Sequence, residues 1–141
     1  MSSRIPAHLA REIRERAGNV CEYCLLPQKS QEATFHIDHV VPLSRGGPTT
    51  LNNLALACVT CSLRKAARHR VRDPQTGRLV PLFNPRTENW ADHFAIARRW
   101  RLVGRSQTGR ATITALGMNR VAVVTLRREL VQLGRYPPAR Q

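Results

Sequence analysis

Cys21-Glu22-Tyr23-Cys24 and Cys58-Val59-Thr60-Cys61 bracket the stretch Thr34-Phe35-His36-Ile37-Asp38-His39-Val40-Val41-Pro42, and the fold turns on how these three pieces combine. The two Cys-x-x-Cys pairs use all four cysteines of the chain, with none left over. A two-residue gap lets both sulfurs of a turn reach one ion, and two such turns complete a tetrahedron of thiolates around zinc. A redox pair and coincidentally buried cysteines are the competing readings; a redox motif needs only one pair. Zinc held by Cys21, Cys24, Cys58 and Cys61 would close the intervening loop and contribute folding free energy. That loop, residues 25–57, is longer than a minimal zinc ribbon needs, so something else is built into it.

Working outward, residues 34–41 read as a strand, β-branched and aromatic, with period-two alternation over the first half. Phe35 and Ile37 would face the core, and His36 and Asp38 would share the other face. Pro42-Leu43-Ser44-Arg45-Gly46-Gly47-Pro48 is a loop, and Leu51, Leu54 and Leu56 lead into a short buried segment ending at Cys58. A helix is expected from Cys61 to about Arg70. Upstream, Ile5, Leu9, Ile13 and Ala17 recur every four residues, which predicts a helix with Ser3 as N-cap, Pro6 in its first turn and Gly18 at its end. Downstream, Asp73-Pro74-Gln75-Thr76-Gly77 is a turn, Pro81 and Pro85 imply an irregular stretch, and residues 90–103 fit helix or strand equally. Val123, Leu126, Leu130 and Leu133 predict an amphipathic helix with Asn119 as a possible cap and Gly134 beyond its end. Pro137 and Pro138 would begin a frayed tail.

The chain has 141 residues, 42% of them apolar, which suits one domain with a modest core. Lysine and arginine number 23 against 9 acids, a net charge of +14. So large a charge points to a polyanion, because each cation near a phosphate releases a condensed counterion. Nucleic acid is the first candidate and an anionic membrane the second. The longest uncharged apolar stretches are too short and too polar to span a bilayer. The first residues lack the apolar run of a secretory signal. A cytoplasmic location with reduced cysteines is therefore expected.

Within the cysteine bracket the order Cys-x-x-Cys, Asp38-His39-x-x-Pro42, Gly46-Gly47, Asn53-Leu54, Cys-x-x-Cys resembles the HNH endonucleases, which are ββα-metal or His-Me finger nucleases. The likeness covers residues 17–65. The later half also resembles a subgroup of small bacterial HNH proteins, through Asp73-Pro74-Gln75-Thr76-Gly77, Leu82-Phe83-Asn84-Pro85-Arg86, Trp90-x-Asp92-His93-Phe94 and Gly109-Arg110-Ala111-Thr112. The resemblance implies that Asp38 ligates a divalent catalytic metal, magnesium or manganese, and that His39 is the general base. It implies that Asn53, rather than Asn52, holds His39 in orientation. It also implies that the residue after the fourth cysteine, usually His or Asn, is the second metal ligand, and here that residue is Ser62. The chemistry of these residue types agrees. A histidine near its ordinary pKa takes a proton from water at neutral pH, and a hard cation held by carboxylate oxygen neutralises the leaving alkoxide. Strand alternation would project Asp38 and His39 to opposite sides.

Ser62 departs from the family pattern, because a neutral hydroxyl is a poorer metal ligand than imidazole or an amide oxygen. Three readings stand: Ser62 holds the metal directly or through water; His36, two residues before Asp38, supplies the missing ligand; or the centre is weakened, leaving a zinc-stabilised nucleic-acid-binding protein. His69 ranks below His36. For substrate contact, Lys65 fits the family's position near the scissile phosphate, Arg45 lies in the glycine loop, and Arg64 and Arg68 share a helical face. Arg98, Arg99, Arg101 and Arg105 around Trp100 form a second cluster, read equally as an extended footprint or as a solvated edge with Trp100 in the core.

The expectation is thus an α+β domain over residues 1–141. It comprises an N-terminal helix (1–20), a zinc-clamped ββα core (21–72) and an extension packed on that core (73–141). Its function would be metal-dependent hydrolysis of DNA, with RNA as the alternative substrate and low sequence specificity. A non-catalytic zinc module that binds nucleic acid is the rival, and a zinc-stapled protein adaptor explains neither the charge nor Asp38-His39.

Overall fold

The computed structural model describes residues 5–139. Helix α1 (Ala7–Ala17) buries Ile13 and Ala17 against the core, with Ile5 and Leu9 partly covered. Gly18 ends it at φ 63°, a left-handed turn that costs glycine little. Pro6 occupies the N-cap; Ser3, the expected cap, lies outside the described residues. Two arginines of α1 reach across the molecule. Arg14 donates to the Phe35 carbonyl (2.9 Å), and Arg16 donates to the carbonyls of Leu51 (2.9 Å) and Leu54 (2.6 Å).

Strands β1 (His36–His39) and β2 (Leu54–Ala57) pair antiparallel, with His36 opposite Ala57 and His39 opposite Leu54. The whole of β2 is buried. Helix α2 (Val59–Lys65) follows at once and packs on both strands. It begins earlier and ends sooner than the sequence suggests. At Ala66 the chain turns to φ 49°, Lys65 points inward, and the expected continuation to Arg70 becomes a second hairpin. That hairpin joins β3 (Arg70–Arg72) to β4 (Leu79–Pro81) around the Asp73–Gly77 turn, and it buries Val71. Pro81 is thus in a strand rather than an irregular stretch, at an outer edge where its missing N–H costs nothing.

The ambiguous residues 90–103 take both forms in succession. One helical turn, α3 (Trp90–His93), runs into β5 (Phe94–Ile96), which pairs with β6 (Leu102–Gly104). Next comes a helix that the sequence hides, α4 (Gln107–Leu116). Its Thr- and Gly-containing stretch has poor helix propensity. It forms because the Ser106 hydroxyl caps it, accepting from the Gly109 N–H at 2.9 Å, and because its face carrying Ala111, Thr112 and Leu116 is buried. Gly109 is required for contact: a Cβ there would lie 2.0 Å from the His93 carbonyl oxygen.

Helix α5 (Val121–Gln132) buries Leu130 and partly covers Val123 and Leu126, but Leu133 is exposed. Asn119 does not cap it. Its amide instead clamps Leu102, accepting from the N–H and donating to the carbonyl at 2.8 Å each. Tyr136, just before the expected tail, is buried and donates to the Cys24 carbonyl at 2.7 Å. Among the described residues, three two-stranded antiparallel sheets and five α-helices make an α+β arrangement. No helix among the described residues is long and apolar enough to cross a membrane. Ser106→Ala should lower unfolding free energy by about 0.5–2 kcal/mol, the usual cost of a lost cap. Urea unfolding of the metal-loaded protein would measure it.

Candidate functional site

The first cysteine pair lies in the turn after α1, and the second opens α2, where Cys58 is the N-cap. Within each pair a backbone N–H points at the preceding sulfur, Cys24 to Cys21 Sγ at 3.5 Å and Cys61 to Cys58 Sγ at 3.4 Å. All four sulfurs lie within 4.8 Å of one another and are buried. Cys24 Sγ and Cys58 Sγ are 3.8 Å apart, far beyond a disulfide bond. Metal–sulfur bonds of about 2.3 Å arranged tetrahedrally separate sulfurs by about 3.8 Å, so the donor set fits one thiophilic ion. Hydrogen bonding among the sulfurs pushes the Cys24 and Cys61 thiols up and draws Cys58 down. Only a cation lets all four act as thiolates. The cysteines are thus positioned to form a metal site. Glu22 bolts the first turn to β2. It pairs with Arg86, its carboxylate accepts from the Leu56 N–H (2.9 Å), and its own N–H donates to the Leu56 carbonyl (2.8 Å).

Between the cysteine pairs, β1 presents Asp38 and His36 toward α2. Phe35 is buried as expected and Ile37 is half-buried, but Asp38 is buried too, because Tyr23 and Lys65 cover its side of the strand. Asp38 Oδ2 accepts from the Tyr23 hydroxyl at 2.7 Å, and Lys65 Nζ lies 3.2 Å from Oδ2 and 3.4 Å from Oδ1. Lys65 also donates to the His39 carbonyl at 2.8 Å. Burial pushes the Asp38 carboxyl up, against the downward pull of Lys65 and the Tyr23 hydroxyl. Lys65 is only 1% exposed and is an internal partner of Asp38. His36 is exposed, and its Nδ1 lies 2.9 Å from Ser62 Oγ. The residue that departs from the family pattern thus sits beside a histidine.

His39 is half-buried, and its Nε2 lies 2.9 Å from Thr49 Oγ1. Burial lowers the imidazole below its ordinary 6.5, with Asp38 opposing the shift and Lys65 adding to it. Asn53 does not touch the ring. Its amide oxygen accepts from the Val41 N–H (2.9 Å), and its amide nitrogen donates to the carbonyls of Val41 (3.0 Å) and Pro48 (2.9 Å). It therefore ties together the two ends of the loop that carries Thr49. Gly47 makes this closure possible, since a Cβ there would stand 1.8 Å from the Val41 carbonyl oxygen. Asp38, His39 and Ser62, with Pro42, Leu43 and Ala66, line one open cavity of about 490 Å³.

Three guanidinium groups named from sequence are exposed: Arg45, Arg64 and Arg68. Arg68 folds back on the Arg64 carbonyl (2.6 Å), and Arg64 Cζ lies 3.0 Å from where a Gly117 Cβ would be. His69 is off the helix altogether, since α2 has already ended. Sequence reasoning missed Tyr23 and Thr49. Tyr23 lies inside the first cysteine motif but carries no separate signal, and Thr49 follows the glycine loop without a motif of its own.

The model of one protein family was found to match the chain. Residues 21–68 match the HNH endonuclease family. The HNH segment spans both cysteine pairs, the β1–β2 hairpin, the intervening loop and α2, and it ends as the chain leaves that helix. No curated protein and no solved structure matches the chain. Loss of metal should be felt first in the HNH segment. Cys58→Ser, or a strong chelator on the native protein, should abolish the bound metal and unfold the hairpin. Metal analysis and amide exchange of residues 36–57 would report both effects.

Proposed function

We propose that this protein is a metal-dependent endonuclease hydrolysing nucleic-acid phosphodiester bonds, with DNA as the first substrate. The observation that carries the reading is the shared cavity of about 490 Å³ bordered by Asp38, His39 and Ser62 in the HNH segment. The chain acts as one unit, with the β1–β2 hairpin and α2 as its ββα centre and residues 73–141 as a packed extension. The four cysteines would hold structural zinc, which their donor set suits.

Asp38 and the His36–Ser62 pair would hold magnesium or manganese, and that ion would stabilise charge on the phosphate and the departing oxygen. Tyr23 and Lys65 occupy Oδ2 of Asp38 more closely than Oδ1, leaving Oδ1 the freer oxygen. His39 works from the other side. Its lowered pKa keeps it neutral at physiological pH, ready to accept a proton. Thr49 engages Nε2, so Nδ1 is the nitrogen left to deprotonate water. The hydroxide attacks phosphorus, and the bond to the 3′ oxygen breaks, leaving 5′-phosphate and 3′-hydroxyl ends. Arg45, Arg64 and Arg68 would steer the backbone without reading bases.

A second reading is favoured by two observations, Ser62 in the family's ligand position and Lys65 already neutralising Asp38. It is a zinc-stabilised nucleic-acid-binding protein without catalysis. Plasmid nicking with magnesium or manganese separates the two. Activity is expected, falling about 100- to 10,000-fold in His39→Ala, the usual worth of a general base. Intact plasmid with every metal would leave only the binding reading. Because His39 must be neutral to act, kcat/KM should rise with pH through a midpoint below 6.5 and then level off. Ser62→Asn should lower the magnesium concentration needed for half-maximal rate, while Thr49→Ala should reduce kcat more than KM and Thr49→Ser should restore it.

A further inference from the structure

The tip of the β5–β6 hairpin combines two left-handed residues with three exposed arginines. Ala97 N–H donates to the Arg101 carbonyl at 2.7 Å, closing a loop of Arg98, Arg99 and Trp100. Arg99 and Trp100 both stand at φ 59°, a backbone region that side chains with a Cβ rarely enter. Two such residues in succession persist only where the surroundings over-determine them.

The surroundings do so here. Arg127 on α5 is fully buried, and it donates to the carbonyls of Trp100 (2.8 Å) and Met118 (2.7 Å). Asn119 clamps Leu102 at the foot of the tip, and Arg128 lies over the Trp100 ring at 4.9 Å. These contacts lock the loop in one shape, and that shape leaves the side chains of Arg98, Arg99 and Arg101 exposed. Among the described residues no carboxylate forms an ion pair with any of them, nor with Arg105 or Arg128. Trp100 is neither in the core nor free, since Arg128 covers it.

We propose that this hairpin tip is a second nucleic-acid docking element, taking backbone phosphates on Arg98, Arg99 and Arg101. A rigid loop loses little conformational entropy when it binds, which a flexible arginine tail cannot avoid. Guanidinium groups without acidic partners complement a phosphodiester backbone, which presents bidentate acceptors at regular intervals. The element lies outside the HNH segment, so it would hold the strand independently of the cleavage centre. The inference deepens the nucleic-acid reading and does not depend on catalysis.

The test measures binding of a fluorescent 20-base-pair duplex and of its single strand by anisotropy. The full-length metal-loaded protein is used without magnesium, across a range of salt. Each lost phosphate contact lowers the slope of log K against log salt by about 0.9 for a duplex, so replacing all three arginines by alanine should lower it by roughly 2 to 3. The triple lysine variant should keep most of the slope. Arg99→Gly, which suits the positive φ, should lower the slope by roughly 1 with no loss of thermal stability. An unchanged slope in both the triple alanine variant and Arg99→Gly would overturn the proposal, as would tighter binding of the wild type to phosphatidylserine vesicles than to nucleic acid. Failure of the nuclease reading would look different: tip-dependent binding intact, and no strand cut when magnesium is added.

Discussion

Four sulfur atoms within 4.8 Å of one another tie together two points of the chain more than thirty residues apart, and the geometry between them depends on that closure. A two-stranded hairpin alone is marginal in water. Here one foot runs from β2 into the second cysteine pair, and the other leads back toward the first. Glu22 adds hydrogen bonds to Leu56, so the cysteine turn and β2 move as one piece. Against this frame α2 can project Ser62 and Lys65 onto β1. Loss of the sulfur cluster would free all three elements at once, which is why the site cannot be understood from Asp38 and His39 alone.

The second principle of the molecule is the inward use of charge. Asp38 with Lys65, Glu22 with Arg86, and Asp73 with Arg110 each remove a carboxylate from water and answer it with a cation. Pairs of this kind add little to stability relative to apolar packing, but breaking one leaves an uncompensated charge inside. What they add is definition. Lys65 reaches two oxygens of Asp38 and the His39 carbonyl, and so fixes the Asp38 carboxylate relative to the His39 backbone. Arg110 spans from α4 to the β3–β4 turn, joining parts that the sequence keeps 37 residues apart.

What was readable in the sequence follows from how local each signal is. The cysteine pairs and Asp38-His39 are short motifs that can be recognised from neighbouring residues alone. The left-handed end of α1 at Gly18 is equally local. The burial of Lys65 against Asp38 is not legible in the sequence, because it depends on strand and helix packing together. Asn53 bonds the backbone of Val41 and Pro48 while Thr49 meets the His39 ring, an arrangement set by the loop's closure that no local pattern announces. Helix α4 was invisible because its residues disfavour helix, and only Ser106 and a buried face overcome that. Asn119 looked like a cap by position, yet its amide was claimed by Leu102 across the fold.

The extension beyond the HNH segment takes part in the same construction. Three of its side chains converge on the first cysteine turn: Arg86 on Glu22, Trp90 on the Tyr23 carbonyl and Tyr136 on the Cys24 carbonyl. None of the three touches His39 or Ser62. The extension therefore braces the sulfur frame from outside and leaves the cavity beside Asp38 open to solvent. This division also sorts the positive charge. Arg14, Arg16, Arg86, Arg110 and Arg127 are spent on carbonyls and carboxylates within the protein. Net charge alone thus overstates how many cations face outward. Other arginines, among them Arg45 on the loop, Arg64 on α2 and Arg98, Arg99 and Arg101 on the β5–β6 tip, remain exposed.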